Sequence, residues 1–341
     1  MNLSIRACYN LDLLNTLNVL TGNSVLKGHH PDLYTEFGEP LSDEGRATLA
    51  MISKGLGTDL ISPLVAFGIS FVDGFEEADL SALLLDKERI LADLQRKEPR
   101  LLSQSEQLIS LFQLIAPVIA ELENMGFSEY WKEERLPLIW EKKAGLDTFI
   151  KKSSLEEEIT ALMGADSTPQ EITLYVCTYA APYGIKISGP RYIADVSYPK
   201  EIIFRTALHE MFHEILQIES LRSTMDAVAV DPFIKLAFEK KDPKYGYPEM
   251  EGFLEENIVE ALTLYVCQQV GLEADPYGYL QDHDGGSHIF SVILLDALQR
   301  SQKDAGQPIS EYLDQLIAHM PLGKLAATYQ TAMQNAGKTI T

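Results

Sequence analysis

The sequence predicts an α+β protein, in which a mostly helical first half precedes a short β segment and a second group of helices. Leucine-rich runs with helical periodicity fill most of residues 43–164. Two runs rich in β-branched and aromatic residues follow between 172 and 198. Helical periodicity then returns for much of the chain after residue 200.

The first part of the chain is predicted to be one strand followed by helices. Weak alternation of apolar residues over 3–9 indicates the strand, and a helix is expected near 11–21, ended by Gly22. The main periodic runs lie at 79–96, 103–123, 131–150 and 154–163. No recognisable motif occurs here, so residues 1–165 are predicted to form a mostly helical N-terminal region, with a second domain over 166–341.

The second part begins with the β segment. Ile172–Tyr179 is predicted as one strand and Arg191–Tyr198 as another. A helix is expected from Pro199 onward, with Ser197 as its N-cap. Residues 220–250 are predicted to be looser, because prolines and glycines interrupt them. Further helices are expected at 252–270, 289–299 and 308–319, and the tail is expected to be helical.

Composition excludes some classes of partner. The formal net charge of -22 argues against a nucleic-acid partner and against an anionic membrane surface, because both require clustered Lys and Arg. No membrane span is predicted, because the sequence has no uninterrupted run of about 18 apolar residues. No signal peptide is predicted either, because polar residues interrupt the apolar start of the chain. The expected compartment is the cytoplasm, with export to the periplasm as the alternative if a signal peptide was removed. The three separated cysteines, Cys8, Cys177 and Cys267, are expected to be small buried side chains.

One HExxH pentapeptide lies within the helix predicted after the second strand, at residues 209–213. Residues four apart share one face of a helix, so His209 and His213 can together hold one metal ion. Glu210 can reach a water molecule on that metal. Apolar residues at helical spacing are predicted to form a buried stripe beside the histidines: Leu208, Met211, Phe212 and Ile215.

A catalytic zinc site of this kind requires a third protein ligand, because it uses three and keeps one position for water. The residues after His213 lack the Gly and His of the HExxHxxGxxH pattern, which excludes the metzincins. The helix predicted over 252–270 offers three candidate carboxylates, Glu255, Glu256 and Glu260. Glu256 and Glu260 share a face of that helix, because they are four residues apart.

The motif, the strands before it and the carboxylates after it resemble the gluzincin branch of the zincin metallopeptidases. The resemblance covers about residues 170–300. It implies a zincin-like catalytic domain, made of a small mixed sheet and active-site helices, that binds Zn²⁺. In that branch a ligand glutamate is followed four residues later by an acidic residue, which hydrogen-bonds the far nitrogen of a ligand histidine. Glu256 is thereby implied as the third ligand, and Glu260 as the partner of His209.

The resemblance also implies zinc-dependent hydrolysis of peptide bonds. The metal would activate water and polarise the scissile carbonyl, while Glu210 would act as general base. A histidine or tyrosine after the third ligand would stabilise the oxyanion. His288 is preferred for this role because it follows Gly285-Gly286-Ser287, although a polar residue at a helix start would look the same. The other candidates are His283, Tyr277 and Tyr279, whereas His29, His30 and His319 are expected to be surface residues.

The strand at 191–197 resembles the edge strand on which zincins bind extended substrate, so the expected partner is a peptide or protein substrate. Two other functions are compatible with the sequence. The chain could be a non-catalytic binding or regulatory protein that retains a zincin-like metal site, or a helical scaffold without metal. Metal content separates the scaffold from the other two classes, and the effect of Glu210→Gln separates the peptidase from the binding protein.

Overall fold

The computed structural model describes residues 2–164, 171–182, 184–216 and 218–339. Within these residues the α+β class is confirmed, because helices predominate and one small mixed sheet is present. The chain divides into two compact units. The sheet unit comprises Leu3–Phe149 and Thr173–Pro199, and the motif unit comprises Met1–Asn2, Ile150–Ile172 and Lys200–Thr341. This division differs from the predicted boundary at 165, because most of the β segment belongs with the N-terminal helices.

The sheet unit contains most of the helices predicted from leucine periodicity, whereas the run at 154–163 belongs to the motif unit. Between its α-helices lie the 3-10 turn Pro99–Gln104 and the π-helical turns Tyr34–Gly38 and Trp131–Arg135. The α-helices of the described residues are α1 Tyr9–Leu20, α2 Ser24–His29, α3 Pro31–Leu33, α4 Asp43–Leu56, α5 Ser62–Ile69, α6 Leu80–Leu85, α7 Lys87–Lys97, α8 Ser105–Asn124, α9 Phe127–Tyr130 and α10 Leu136–Lys152.

One helical stretch, Pro99–Asn124, is long and apolar enough by length and composition alone to cross a membrane. Half of the residues in its most apolar 18-residue stretch are buried. A helix in the core of a protein can have the same length and apolar composition. The three cysteines are buried and free, as predicted. Of the histidines expected at the surface, His29 and His319 are exposed, whereas His30 is half-buried with its ring against Tyr179.

The sheet has four strands in the order β1-β2-β4-β3: β1 Asn2–Arg6, β2 Glu171–Cys177, β3 Ile185–Lys186 and β4 Arg191–Asp195. β4 pairs with β2 in parallel and with β3 in antiparallel orientation, so Ile193 lies between Tyr175 and Ile185. The prediction of an edge strand over 191–197 is therefore wrong. β3 occupies the outer side of β4, and strand addition by a substrate there would have to displace it.

The motif unit is helical in its described residues apart from the ends of the strands. Its helices are α11 Leu155–Met163, α12 Lys200–Ile215, α13 Ile218–Ala229, α14 Pro232–Lys240, α15 Met250–Gln269, α16 Pro276–Asp282, α17 Ile289–Arg300, α18 Ile309–Ala318 and α19 Leu325–Asn335, with 3-10 turns at Pro243–Tyr245 and His283–Gly286.

The prediction of a looser region over 220–250 is wrong, because α13 and α14 occupy most of it. Pro232 begins α14 rather than interrupting a helix, and the Asp231 side chain accepts the Phe233 N–H at 2.9 Å. The predicted N-cap at Ser197 is also wrong. Ser197 donates from its backbone and hydroxyl to Asp195 Oδ1, and α12 starts later, at Lys200.

α15 is the central helix of the motif unit and packs against α12 and α17. Its buried Asn257 joins it to the start of α17. The Asn257 side-chain oxygen accepts the N–H groups of Phe290 and Ser291, both at 3.1 Å, while its amide donates to Phe253 O at 2.8 Å. The first N–H groups of a helix have no partner within the helix, so Asn257 caps α17 from outside.

Replacing Asn257 with alanine is expected to destabilise the protein by about 1–3 kcal/mol, because two buried N–H groups lose their acceptor. Thr263→Val is the matched control on α15. The Thr263 hydroxyl donates only to Val259 O within the same helix, so its loss should cost less. Urea unfolding of both variants measures the difference, and equal midpoints would contradict the capping role.

Candidate metal centre

The motif histidines and the candidate glutamates lie on two packed helices of one unit. α12 carries His209 and His213 one turn apart, and both are half-buried. α15 carries the three candidate glutamates, of which Glu256 and Glu260 are buried. In the predicted apolar stripe, Leu208, Met211 and Phe212 are buried and Ile215 is half-buried. Burial of this stripe against the core brings the histidine pair towards α15.

Ligand atoms of three residues converge between the two helices. The Nε2 atoms of His209 and His213 are 3.3 Å apart. Glu256 Oε1 lies 3.0 Å from His209 Nε2, and Glu256 Oε2 lies 3.2 Å from His213 Nε2. Tetrahedral zinc with bonds of about 2.0–2.1 Å holds its ligand atoms about 3.3 Å apart. The spacing of these atoms therefore fits one zinc ion.

The far nitrogens of both histidines face carboxylates. Glu260 Oε2 lies 2.9 Å from His209 Nδ1, and Glu255 Oε1 lies 3.1 Å from His213 Nδ1. Hydrogen bonds from Nδ1 to these carboxylates keep each proton on Nδ1 and direct Nε2 towards Glu256, so loss of the Nε2 proton gives the tautomer that binds metal. Each glutamate thus has its own partner: Glu256 faces both Nε2 atoms, Glu260 faces His209 Nδ1, and Glu255 faces His213 Nδ1. The sequence suggested no partner for His213, and the structure places Glu255 there.

The site attracts positive charge. Burial lowers the pKa of His209, but hydrogen bonds to Glu256 and Glu260 outweigh burial and raise it to about 10. The pKa of His213 is likewise raised to about 9, against the effect of burial, by Glu255 and Glu256. Burial disfavours the charged form of Glu256, yet both histidines hold its pKa well below the usual range. Three carboxylates around two imidazoles therefore favour either protons or a divalent cation.

Glu210 lies next to His209 on α12 and is half-buried. Among the described residues it has no hydrogen bond and no ion pair, unlike the three glutamates of α15. A carboxylate that is not engaged elsewhere can accept a proton, which is the property a general base requires.

The predicted role of His288 is not supported. Its side chain is only 2% exposed, and its Nε2 lies 3.2 Å from Asp284 Oδ2. Its ring is covered by His283, with the two centroids 5.1 Å apart. The alternative tyrosines are also engaged, since Tyr277 donates to Gln299 Oε1 at 2.7 Å and Tyr279 stacks on His283. None of these side chains contacts the ligand atoms of His209 and His213 in the described structure.

His283, Asp284 and His288 form a second group of potential ligands. The two histidine rings are stacked with an interplanar angle of 27°. A metal bound to a histidine lies in the plane of the ring, and two nearly parallel planes do not meet at a nearby ion. This group therefore lacks the convergence found at the first site, where the rings are inclined by 72°.

Tyr247 is a site residue that the sequence did not suggest. Burial and the nearby charge of Glu256 raise its pKa. The hydroxyl consequently stays neutral and can donate a proton in a hydrogen bond. Tyr247 has a φ of 54° and lies in the proline- and glycine-rich segment before α15. Such a segment has no periodicity from which the direction of a side chain could be inferred.

No protein-family model, curated protein or solved structure matches the chain. The arrangement around His209 and His213 is consequently the observation on which a functional assignment depends. The residues brought together there are His209, His213, Tyr247, Glu255, Glu256 and Glu260.

Glu260→Gln is expected to weaken zinc binding about 10- to 100-fold, because an amide is a poorer acceptor for His209 Nδ1 than a carboxylate. Glu255→Gln should have a smaller effect, because the Glu255 side chain is 30% exposed against 3% for Glu260. Competition against a coloured chelator measures both affinities. Glu251→Gln is the control on the same helix, since Glu251 pairs only with Arg222. Wild-type affinity in Glu260→Gln would contradict the orienting role.

Proposed function

We propose that the chain is a zinc-dependent peptidase, in which His209, His213 and Glu256 hold the metal. The observation that carries the proposal is the set of three distances between ligand atoms, 3.0, 3.2 and 3.3 Å. Two imidazole nitrogens and one carboxylate form a ligand set that zinc accepts, and three protein ligands leave a position open for catalysis. When bound, Zn²⁺ supplies a Lewis acid that polarises a carbonyl and lowers the pKa of water.

The remaining chemistry belongs to residues of the chain. Glu210 accepts a proton from the attacking water and delivers it to the leaving nitrogen. Glu255 and Glu260 keep the two imidazoles oriented, which maintains the geometry of the ligands. Tyr247 replaces His288 as the proposed donor to the carbonyl oxygen, because its hydroxyl stays neutral and the charge of the ligand Glu256 acts on it. An amide bond suits this set of groups, since its cleavage needs both a base for water and an acid for the nitrogen.

Cleavage of a peptide library by the zinc-loaded protein tests the proposal. We expect specific cleavage products by mass spectrometry, loss of cleavage with a zinc chelator, and recovery when zinc is restored. The chelated protein should also unfold at a lower temperature, because a ligand that binds only the folded state stabilises it. Stoichiometric zinc without any cleavage would favour the non-catalytic binding protein. Cleavage that persists in excess chelator would contradict the metal-dependent mechanism.

A further inference from the structure

The motif unit contains a cavity of about 160 Å³ between α13 and the first turns of α15. Its apolar wall consists of Met225, Ala229, Met250 and Leu254. Met225 and Leu254 are buried, and the other two side chains are half-buried. An apolar cavity of about 150 Å³ holds a molecule of the size of benzene. The cavity therefore has room for one long, slender side chain.

α15 carries part of this cavity wall as well as the glutamates of the metal centre. Glu251 and Glu255 lie one turn apart on one face of the helix. Glu251 Oε1 lies 2.7 Å from Arg222 Nη2 in the cavity wall, and Glu255 Oε1 lies 3.1 Å from His213 Nδ1. Glu256 follows Glu251 by about 7.5 Å along the helix axis, which an extended peptide covers in about two or three residues. A peptide whose carbonyl lies at the metal centre can therefore place a nearby side chain in the cavity.

The polar groups around the cavity carry a surplus of negative charge. Arg222 is the only cation among the described residues that line it. Its guanidinium already bonds two carboxylates, Glu219 at 3.1 Å and Glu251 at 2.7 Å. Asp226 also lines the cavity, and its charge acts on Arg222 without a direct ion pair. Three carboxylates thus surround one guanidinium, which leaves Asp226 available for a cation on a ligand.

The distribution of apolar and charged groups matches a basic side chain. Lysine and arginine bury an apolar methylene stem and keep the charged end in water. In the cavity wall, Met225 and Leu254 are buried, whereas Asp226 is exposed. A basic side chain can consequently bury its stem against the apolar wall while its charged end lies beside Asp226.

We infer that this cavity is the subsite that selects the substrate, and that it takes a lysine or arginine side chain. Asp226 binds the charged end, and the apolar wall holds the stem. The inference rests on the proposed peptidase function, because it identifies the class of peptide that the metal centre would process.

Binding of capped peptides to the zinc-loaded Glu210→Gln variant, measured by calorimetry, tests the inference without requiring turnover. The peptides consist of alanine and glycine except for one central residue, which is lysine, arginine, norleucine, glutamate or alanine. We expect the better of the two basic peptides to bind about fivefold more tightly than the norleucine peptide, because an exposed ion pair contributes up to about that much. The norleucine peptide should bind about tenfold more tightly than the alanine peptide, because its methylene groups become buried. The glutamate peptide should bind no better than the alanine peptide.

Two substitutions in the Glu210→Gln background locate the subsite. Asp226→Asn should abolish the preference for the basic peptide over the norleucine peptide. Glu239→Gln is the matched control and should retain the preference, because Glu239 is an exposed carboxylate of α14 outside the cavity. Ala229→Phe should fill the cavity and reduce the affinity of the basic and norleucine peptides to that of the alanine peptide. Zinc content and thermal unfolding of each variant establish that the metal centre and the fold are retained.

Equal affinity for the basic, norleucine and glutamate peptides, no binding of any peptide, or a preference that persists in Asp226→Asn would overturn the inference. Cleavage of the peptide library by wild-type protein without a preference for basic residues would also overturn it and would leave the peptidase proposal intact. If the binding preference holds but wild-type protein cleaves none of the library peptides, the peptidase proposal fails. The cavity then remains a binding site for basic peptides.

Discussion

Glu256→Ala is expected to reduce zinc affinity by more than about 100-fold, because it removes a direct ligand, and residues that only orient the ligands already contribute about 10- to 100-fold. The loss should be larger than in Glu255→Ala, since Glu256 contacts both Nε2 atoms whereas Glu255 contacts only His213 Nδ1. Zinc content after gel filtration, followed by a competition titration, measures the two affinities.

Glu255→Ala serves as the matched control, because it removes the neighbouring carboxylate of the same helix. Circular dichroism of both variants establishes that α15 is retained. A larger loss in Glu255→Ala, or in Glu260→Ala, would move the third ligand to that residue and contradict the assignment of Glu256.

Glu210→Gln is expected to lower kcat by about 10²- to 10⁴-fold while zinc content stays unchanged. The amide keeps the size of the side chain but cannot accept the proton of the attacking water. Cleavage rates with a substrate from the library screen, normalised to bound zinc, provide the measurement.

Glu214→Gln, an exposed position one turn later on α12, is the control and should retain wild-type rates. Unchanged activity in Glu210→Gln would exclude Glu210 as the base. Loss of zinc together with activity would instead indicate that Glu210 supports the metal site rather than the proton transfer.

The main elements of the motif unit follow from strong local patterns. α12 and α15 are long helices rich in apolar residues, and a spacing of four residues defines a helix face whatever the tertiary context. The sequence could therefore predict the α+β fold class and the helices α12 and α15. It could also predict that His209 and His213 lie on one face of α12. α14 is not predicted although its start signal, Asp231 followed by Pro232, is present, because a proline can either begin or interrupt a helix.

Features that depend on distant contacts could not be predicted. β3 has two residues in a loop rich in glycine and proline, so no alternation revealed that it covers β4. The roles of Glu255, Glu256 and Glu260 depend on how α15 is rotated against α12, and the helix is buried on most of its faces. The position of Tyr247 depends on a positive φ, and burial of His288 depends on stacking with His283.

The central claim is that one zinc ion binds between α12 and α15. Anomalous diffraction at the zinc edge, from crystals of the full chain grown with zinc, tests it most directly. The expected result is a single strong peak within bonding distance of His209 Nε2, His213 Nε2 and the Glu256 carboxylate, with Glu255 and Glu260 still on the Nδ1 atoms. A zinc-loaded crystal with no peak there, or with its peak at His283 and His288, would contradict the claim.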